Sequence, residues 1–241
     1  MITGGLSGIG AATAVEFGKL GARLLLCDNS TTEGDGLVAA IQDAGGEAIV
    51  CKLDVRDPDA LQVAAERAEA DFGRIDVLVA CAGISDQSAI ATGDPERWRA
   101  LVDINLIGTI FAARAVTPAM NRQESGHIFI VASVSGRESY VGESVYIASK
   151  WGQVGFAHSL RLELMSSGIR VSLIEPGLVD TPLTRDNPTI RSLLEEVDPL
   201  LPADVAAAIA YAYQQPPHVV ISELVVRPLR QRIEGTNLLN P

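Results

Sequence analysis

The stretch MITGGLSGIG (1–10) opens the chain, and its reading decides the fold. Thr3-Gly4-x-x-x-Gly8-Ile9-Gly10 is a glycine-rich turn that runs into a helical stretch, GIGAATAVEFGKLG (8–21). Glycine lets a backbone bend tightly and approach a pyrophosphate with no Cβ in the way. A helix starting there offers unpaired N–H groups and a partial positive charge to an anion. The spacing differs from G-x-G-x-x-G but relies on the same physics. Such a turn is expected to follow a buried strand, yet only Met1 and Ile2 stand before it.

Downstream, apolar runs alternate with helix-period stretches. The strand candidates are 22–28, 47–55, 75–83, 127–133, 170–176 and 218–228. They are β-branched-rich and nearly continuous, as strands covered on both faces are. Helices are predicted over 8–21, 57–72, 94 to about 120, 144–166 and 203–214. Asp57-Pro58 and Asp94-Pro95 each supply a cap followed by proline at the first helical position. This alternation, without repeat or linker, predicts one α/β domain over 1–241 with a doubly wound parallel sheet whose first strand is truncated. The segment PLTRDNPTIRSLLEEVDPLLP (182–202) is broken by four prolines. At the carboxyl edge of a parallel sheet it reads as a substrate loop or lid, with LLEEV (193–197) as its amphipathic piece. A plain surface loop with one short helix is the other reading.

The formal net charge of −11 opposes nucleic-acid and anionic-membrane partners. It does not oppose a phosphate-bearing small molecule held by backbone N–H groups. No run of 18 apolar residues appears, and no basic region precedes an apolar stretch at the start, so a cytoplasmic protein without signal peptide is expected. Cys27, Cys51 and Cys81 are odd in number and lack C-x-x-C spacing, which predicts reduced, buried thiols. His127, His158 and His218 lie far apart, so no metal site is predicted.

Asp28 ends the second strand candidate, 18 residues after Gly10. That is near the offset of about 20 residues at which an acid meets a ribose 2′-hydroxyl. No Arg or Lys lies within 28–32 or at Leu6-Ser7, so the pattern favours NAD over NADP. Tyr146 and Lys150 stand at i, i+4 and share a helix face. A lysine cation beside a phenol lowers its pKa and fits Tyr146 for proton exchange with an alcohol or carbonyl. Ser133 ends a strand 13 residues earlier, where its hydroxyl reaches a crevice at the carboxyl edge. Asn105 is a mid-helix asparagine, unfavourable unless its amide has a task.

These residues together resemble the short-chain dehydrogenase/reductase family, in its compact single-domain, Rossmann-type branch. The resemblance runs through TGGLSGIG (3–10), Asp28, LDV (53–55), CAG (81–83), Asn105, Ser133, YIASK (146–150) and PGLVDTP (176–182). It implies Tyr146 as general acid/base and Lys150 on the nicotinamide ribose. Ser133 would orient the substrate carbonyl, and Asn105 would hold a water that relays protons from Lys150. Gly4, Leu6, Ser7, Gly8 and Ile9 would carry the pyrophosphate side, with Asp28 on the ribose and Asp54 and Val55 beside the adenine. Cys81, Ala82, Gly83, Pro176, Gly177, Val179 and Thr181 would complete the cofactor contacts. A small alcohol or ketone substrate would meet Ser85, Ser135, Glu138, Tyr140, Leu178 and Leu183, with Glu138 and Tyr140 favouring a polar or cationic group.

Two departures stand out. The family often reads Asn-Asn-Ala-Gly where this chain has Ala80-Cys81-Ala82-Gly83, and its common tail is replaced by ISELVVRPLRQ (221–231). The family also has a full strand before the glycine turn. The natural chain is therefore expected to start upstream, and Met1–Thr3 to lie between the 22–28 and 75–81 strands. Helix 144–166 carries apolar residues nearly all round, among them Val145, Trp151, Leu160 and Leu162. Together with helix 95–120 it predicts a homodimer or homotetramer. The alternative function is a non-catalytic dinucleotide-binding sensor or partner protein, which Tyr146→Phe would leave unaffected.

Overall fold

The computed structural model describes residues 1–187, 190, 191, 194 and 197–231. Its strands are β1 (Ile2–Thr3), β2 (Arg23–Asp28), β3 (Glu47–Lys52), β4 (Val77–Ala80), β5 (Gly126–Val131), β6 (Ile169–Pro176) and β7 (Glu223–Val226). Among the described residues they form one parallel sheet in the order β3-β2-β1-β4-β5-β6-β7. The helices are α1 (Gly8–Lys19), α2 (Gly34–Asp43), α3 (Pro58–Phe72), α4 (Pro95–Val102), α5 (Gly108–Gln123), α6 (Ser144–Leu164), α7 (Pro182–Arg185) and α8 (Pro202–Tyr213).

The alternation of side chains along each strand feeds two cores. Leu25 and Cys27 of β2 face Leu61, Val116, Met120 and Ala157 from α3, α5 and α6. Leu24 and Leu26 face Phe17, Ile41 and Ile209 from α1, α2 and α8. The sheet is therefore doubly wound, and its central strands are apolar on both faces. β5 is buried at every position.

The strand stub lies where the glycine turn requires it. Ile2 pairs with Leu26 and Val79, and Thr3 with Cys27 and Ala80. The Met1 amine donates to the Val77 carbonyl at 2.9 Å. Thus β1 is bonded on both sides and delivers the turn to the middle of the carboxyl edge.

Three elements differ from the predicted ones. α2 was not expected, because GDGLVAAIQD offers only Leu37 and Ile41 as a narrow apolar face among glycines and acids. The strand over 218–228 shrinks to β7, since parallel pairing with β6 starts at Glu223. The long helix is interrupted by a π-turn, Asp103–Ile107, between α4 and α5. The continuous stretch Pro95–Gln123 is long and apolar enough to cross a membrane by length and composition. Here Ala112, Val116 and Met120 of α5 are buried in the core. Of the LLEEV piece, Leu193, Glu195 and Glu196 lie outside the described residues.

Candidate active site

The glycine turn is locked to the neighbouring strand ends. Thr3 Oγ1 accepts from the amides of Cys81 (3.3 Å) and Ala82 (3.5 Å), and Gly5 N donates to Cys27 O at 3.2 Å. Gly4 has φ +62°, and a Cβ there would sit 2.8 Å from Ala82 Cα. At Gly10 a Cβ would overlap the Gly4 carbonyl oxygen. Ser7 caps α1 in extended conformation without a side-chain bond, leaving the amides of Gly8 and Ile9 to an incoming group, while the Gly10 amide faces the Cys81 sulfur. Asp28 is fixed: Oδ2 accepts from Leu6 N (3.2 Å) and Oδ1 from Ser30 N (3.4 Å).

A cleft of about 290 Å³ brings together Gly4, Ser7, Gly8, Ile9, Asp28, Asp54, Val55, Cys81, Ala82, Gly83, Thr181 and Leu183. Leu6 is buried beneath it. Pro176, Gly177, Leu178 and Val179 form the loop that follows β6 and leads to Thr181. Leu53 of the LDV motif also lines the cleft, as do Asn29, Arg56, Ile84 and Ile104, which were not predicted. The Arg56 guanidinium is paired with Asp54 at 2.5 Å. A glycine cradle, a free helix start and a fixed carboxylate are the donor and acceptor set a dinucleotide requires.

The catalytic half lies beside it. Ser133 follows β5; its hydroxyl lies near enough to the Tyr146 phenol to favour the charged form, and it accepts from Ser135 N at 3.1 Å. Tyr146 and Lys150 do share one side of α6, and the Lys150 ammonium stands 5.6 Å from the Tyr146 ring centre. Burial pushes the Tyr146 phenol up to about 12, Ser133 draws it down and Glu143 raises it. Burial lowers Lys150 to about 8, against a raising effect of Cys81. The expected lowering of Tyr146 by Lys150 is thus not what this structure has. The ammonium instead donates to Val131 O (3.3 Å) and to Gln153 Oε1 (2.9 Å).

Asn105 also takes a task other than the implied one. It sits in the π-turn, fully buried. Its Oδ1 accepts from Ile84 N (2.8 Å), and Nδ2 donates to Ile84 O (3.0 Å) and Ser149 Oγ (3.2 Å). Its carbonyl accepts from Gln153 Nε2 (2.8 Å) and Thr109 Oγ1 (2.7 Å). Both amide hydrogens and both carbonyl lone pairs are engaged by protein groups, so the residue clamps the loop after β4 to α6.

On the substrate side, Ser85 and Ser135 are buried, and Ser135 Oγ donates to Glu143 at 3.5 Å. Glu138 was expected to favour a cationic group. Its carboxylate is instead paired with Arg227 at 2.5 Å and accepts from Tyr140 OH at 2.7 Å. Arg137 next to it is paired with the buried Glu175 (2.6 Å) and with Glu223. Both pairs tie the segment after β5 to the chain around β7, contacts between positions 86 and 89 residues apart.

The sequence profile described as short chain dehydrogenase matches residues 1–191. An uncharacterized oxidoreductase of Staphylococcus saprophyticus is 37% identical over 95% of this chain and 96% of its own. A metagenomic short-chain oxidoreductase, solved in complex with NADP, is 33% identical with a TM-score of 0.82, covering 95% of this chain and 96% of that one. Serine dehydrogenase from Escherichia coli is 28% identical with a TM-score of 0.83, covering 96% and 98%.

Proposed function

The chain belongs to the short-chain dehydrogenase family, and on that premise we propose that it is an NAD-dependent oxidoreductase interconverting a small secondary alcohol and its ketone. The observation that carries this reading is the convergence of Ser133, Tyr146 and the Lys150 ammonium, which stands 5.6 Å from the Tyr146 ring centre, beside a cleft lined by the glycine turn and Asp28. Ser133 orients the substrate oxygen. Tyr146 gives that oxygen a proton or takes one from it. Lys150 supplies positive charge near the phenol and hydrogen bonds toward the ribose. The nicotinamide, when bound, supplies or accepts the hydride.

With its phenol pushed up to about 12, Tyr146 is a proton donor as it stands, which suits carbonyl reduction. Alcohol oxidation needs added positive charge beside it. The fixed Asp28 carboxylate supports NAD, because it accepts from a ribose hydroxyl and repels a 2′-phosphate. Ser85, Ser135, Tyr140, Leu178 and Leu183 form the substrate side in this reading. A second copy of the chain is its partner, since Trp151 and Leu162 of α6 are exposed, 51% and 72%. Sedimentation of the protein at micromolar concentration tests that part.

The main test is a thermal-shift titration with NAD and separately NADP, followed by turnover on a panel of small secondary alcohols and ketones. A cofactor at 100 times its dissociation constant adds about 2.7 kcal/mol of stability. In a domain of this size that is several degrees, at about 2–4 °C per kcal/mol. A shift with NAD alone and turnover that vanishes in Tyr146→Phe are expected. A cooperative melt that neither cofactor moves, with no turnover, sinks the reading.

A further inference from the structure

Gln153 has no place in the reading above, yet it is fully buried in the middle of a core helix. Burying a side-chain amide is costly unless both its ends are satisfied. Here both are. Its oxygen accepts from Lys150 Nζ at 2.9 Å, and its nitrogen donates to Asn105 O and to Thr109 Oγ1, each at 2.8 Å. The orientation of the amide is fixed by chemistry: an ammonium has only hydrogens to offer and a carbonyl only lone pairs. Thr109 Oγ1 in turn donates to Asn105 O at 2.7 Å. The chain of bonds therefore runs from the ammonium through the amide into the π-turn and stops there.

We propose that Gln153 is a positioning residue for Lys150: its amide oxygen holds the buried ammonium and stabilises its charge, and its amide nitrogen anchors that oxygen to the π-turn. Three things make this more than packing. Tyr146, Lys150 and Gln153 follow one another at i, i+4 and i+7, so the amide stands on the same side of α6 as the reacting groups. Lys150 is 5% exposed, so a lost protein acceptor is poorly replaced by water. The other acceptor on the ammonium, Val131 O, is at 3.3 Å and weaker. The groups around the ammonium are few. Cys81 faces it from the end of β4, the Tyr146 ring from its own helix, Val131 O from β5, and the neutral Asn105 and Thr109 lie beyond the amide.

A hydrogen bond to a charged donor favours the charged form. Removing the acceptor therefore shifts Lys150 toward the neutral amine, and a carboxylate in its place shifts it the other way. The chain has three lysines, Lys19, Lys52 and Lys150, so lysine labelled with ¹³C at Cε gives a simple spectrum. The Lys150 signal is assigned by its loss in Lys150→Arg. In the ligand-free full chain, Gln153→Met is expected to lower the Lys150 titration midpoint by about one pH unit. Gln153→Glu is expected to raise it, and carries the test alone if Gln153→Met does not fold. An unchanged midpoint in the folded variants overturns the proposal.

The catalytic consequence rests on the proposed function. In turnover the alkaline limb of kcat/KM is expected to move to lower pH in Gln153→Met by about the same amount. Loosened packing alone would depress the profile without moving its limb, and that result overturns the proposal. A shifted lysine midpoint in a protein that turns nothing over would leave the positioning role standing and remove the oxidoreductase reading.

Discussion

The two halves of the cleft are built from different materials. Around the glycine turn the contacts are made mainly by backbone: Gly5 N to Cys27 O and Cys81 N to Thr3 O, each at 3.2 Å. Around Tyr146 side chains carry them: Lys150 donates to Gln153, and Gln153 donates to Thr109 and to the Asn105 carbonyl. The first half fails when atoms are added, because no room exists for a Cβ at Gly4 or Gly10. The second fails when atoms are removed, because each polar group there relies on the next one. Where a protein must meet a cofactor's phosphates it thins itself to main chain. Where it must move a proton it fills the space with matched donors and acceptors.

Substitutions that subtract from the catalytic half should have the largest effect. Tyr146→Phe is expected to lower kcat by about 10²–10⁴-fold, the range for loss of general acid/base catalysis. Its stability should move by less than about 1 kcal/mol, since the ring stays and only a hydroxyl goes. Steady-state rates beside a urea titration read both. Addition to the cofactor half comes next. Gly10→Ala forces its Cβ against the Gly4 carbonyl, and about 3 kcal/mol of stability should be lost, at the upper end for overpacking. A loss below 1 kcal/mol would mean that the turn yields easily and that the contrast drawn here is too sharp.

A smaller effect is expected where one side chain does serve the backbone half. Asp28→Ala should weaken NAD binding by about 10- to 100-fold, the value of a charged hydrogen bond, and NADP binding by less. Fluorescence titration with both cofactors reads the ratio, and equal losses would remove Asp28 as the selector.

The mildest break uses acid. His127, on β5 beneath the catalytic half, is 1% exposed and is lowered to about 3 by burial, with Arg170 adding to the effect. Ser172 Oγ donates to Ile221 O at 2.6 Å, so the 2.7 Å contact with His127 Nε2 has the imidazole donating, in its neutral form. Between pH 6.5 and 3 the unfolded chain binds a proton there that the folded chain refuses. This contribution is present in full above pH 6.5 and is lost as the pH falls. About 2 kcal/mol of stability should go by pH 5, at 1.36 kcal/mol per unit. Denaturant unfolding at pH 7 and 5 measures it, and His127→Leu should flatten the difference.

What was legible in the sequence follows the same division. The glycine turn, Asp28 and the Tyr146–Lys150 pair lie within short spacings, where helix and strand periods fix neighbours directly. The central place of the strand stub was legible too, because the turn must emerge between two strands. The rest depends on distant contacts. Gln153 belongs to an apolar helix, and its partners other than Lys150 are 44 and 48 residues away. The π-turn leaves no mark in the apolar pattern, yet it sets the Asn105 carbonyl toward α6. The partners of Glu138 and Arg137 come from around β7, which no periodicity assigns. α2 escaped notice for a local reason, a face of two residues between glycines.

The segment that follows β7 also reaches the loop after β6. Gln231 Oε1 accepts from Leu178 N at 2.8 Å, and it occupies the space that a Cβ on Gly177 would need. Positions 177 and 231 therefore do not vary independently. An alanine at 177 displaces the glutamine and strands the Leu178 amide, and its Cβ also meets Pro228 Cδ at 3.0 Å. Among relatives, or in a mutational library, the two sites should be inherited as a pair. Grafting a foreign tail onto this scaffold would then alter the loop after β6 without touching a residue in it.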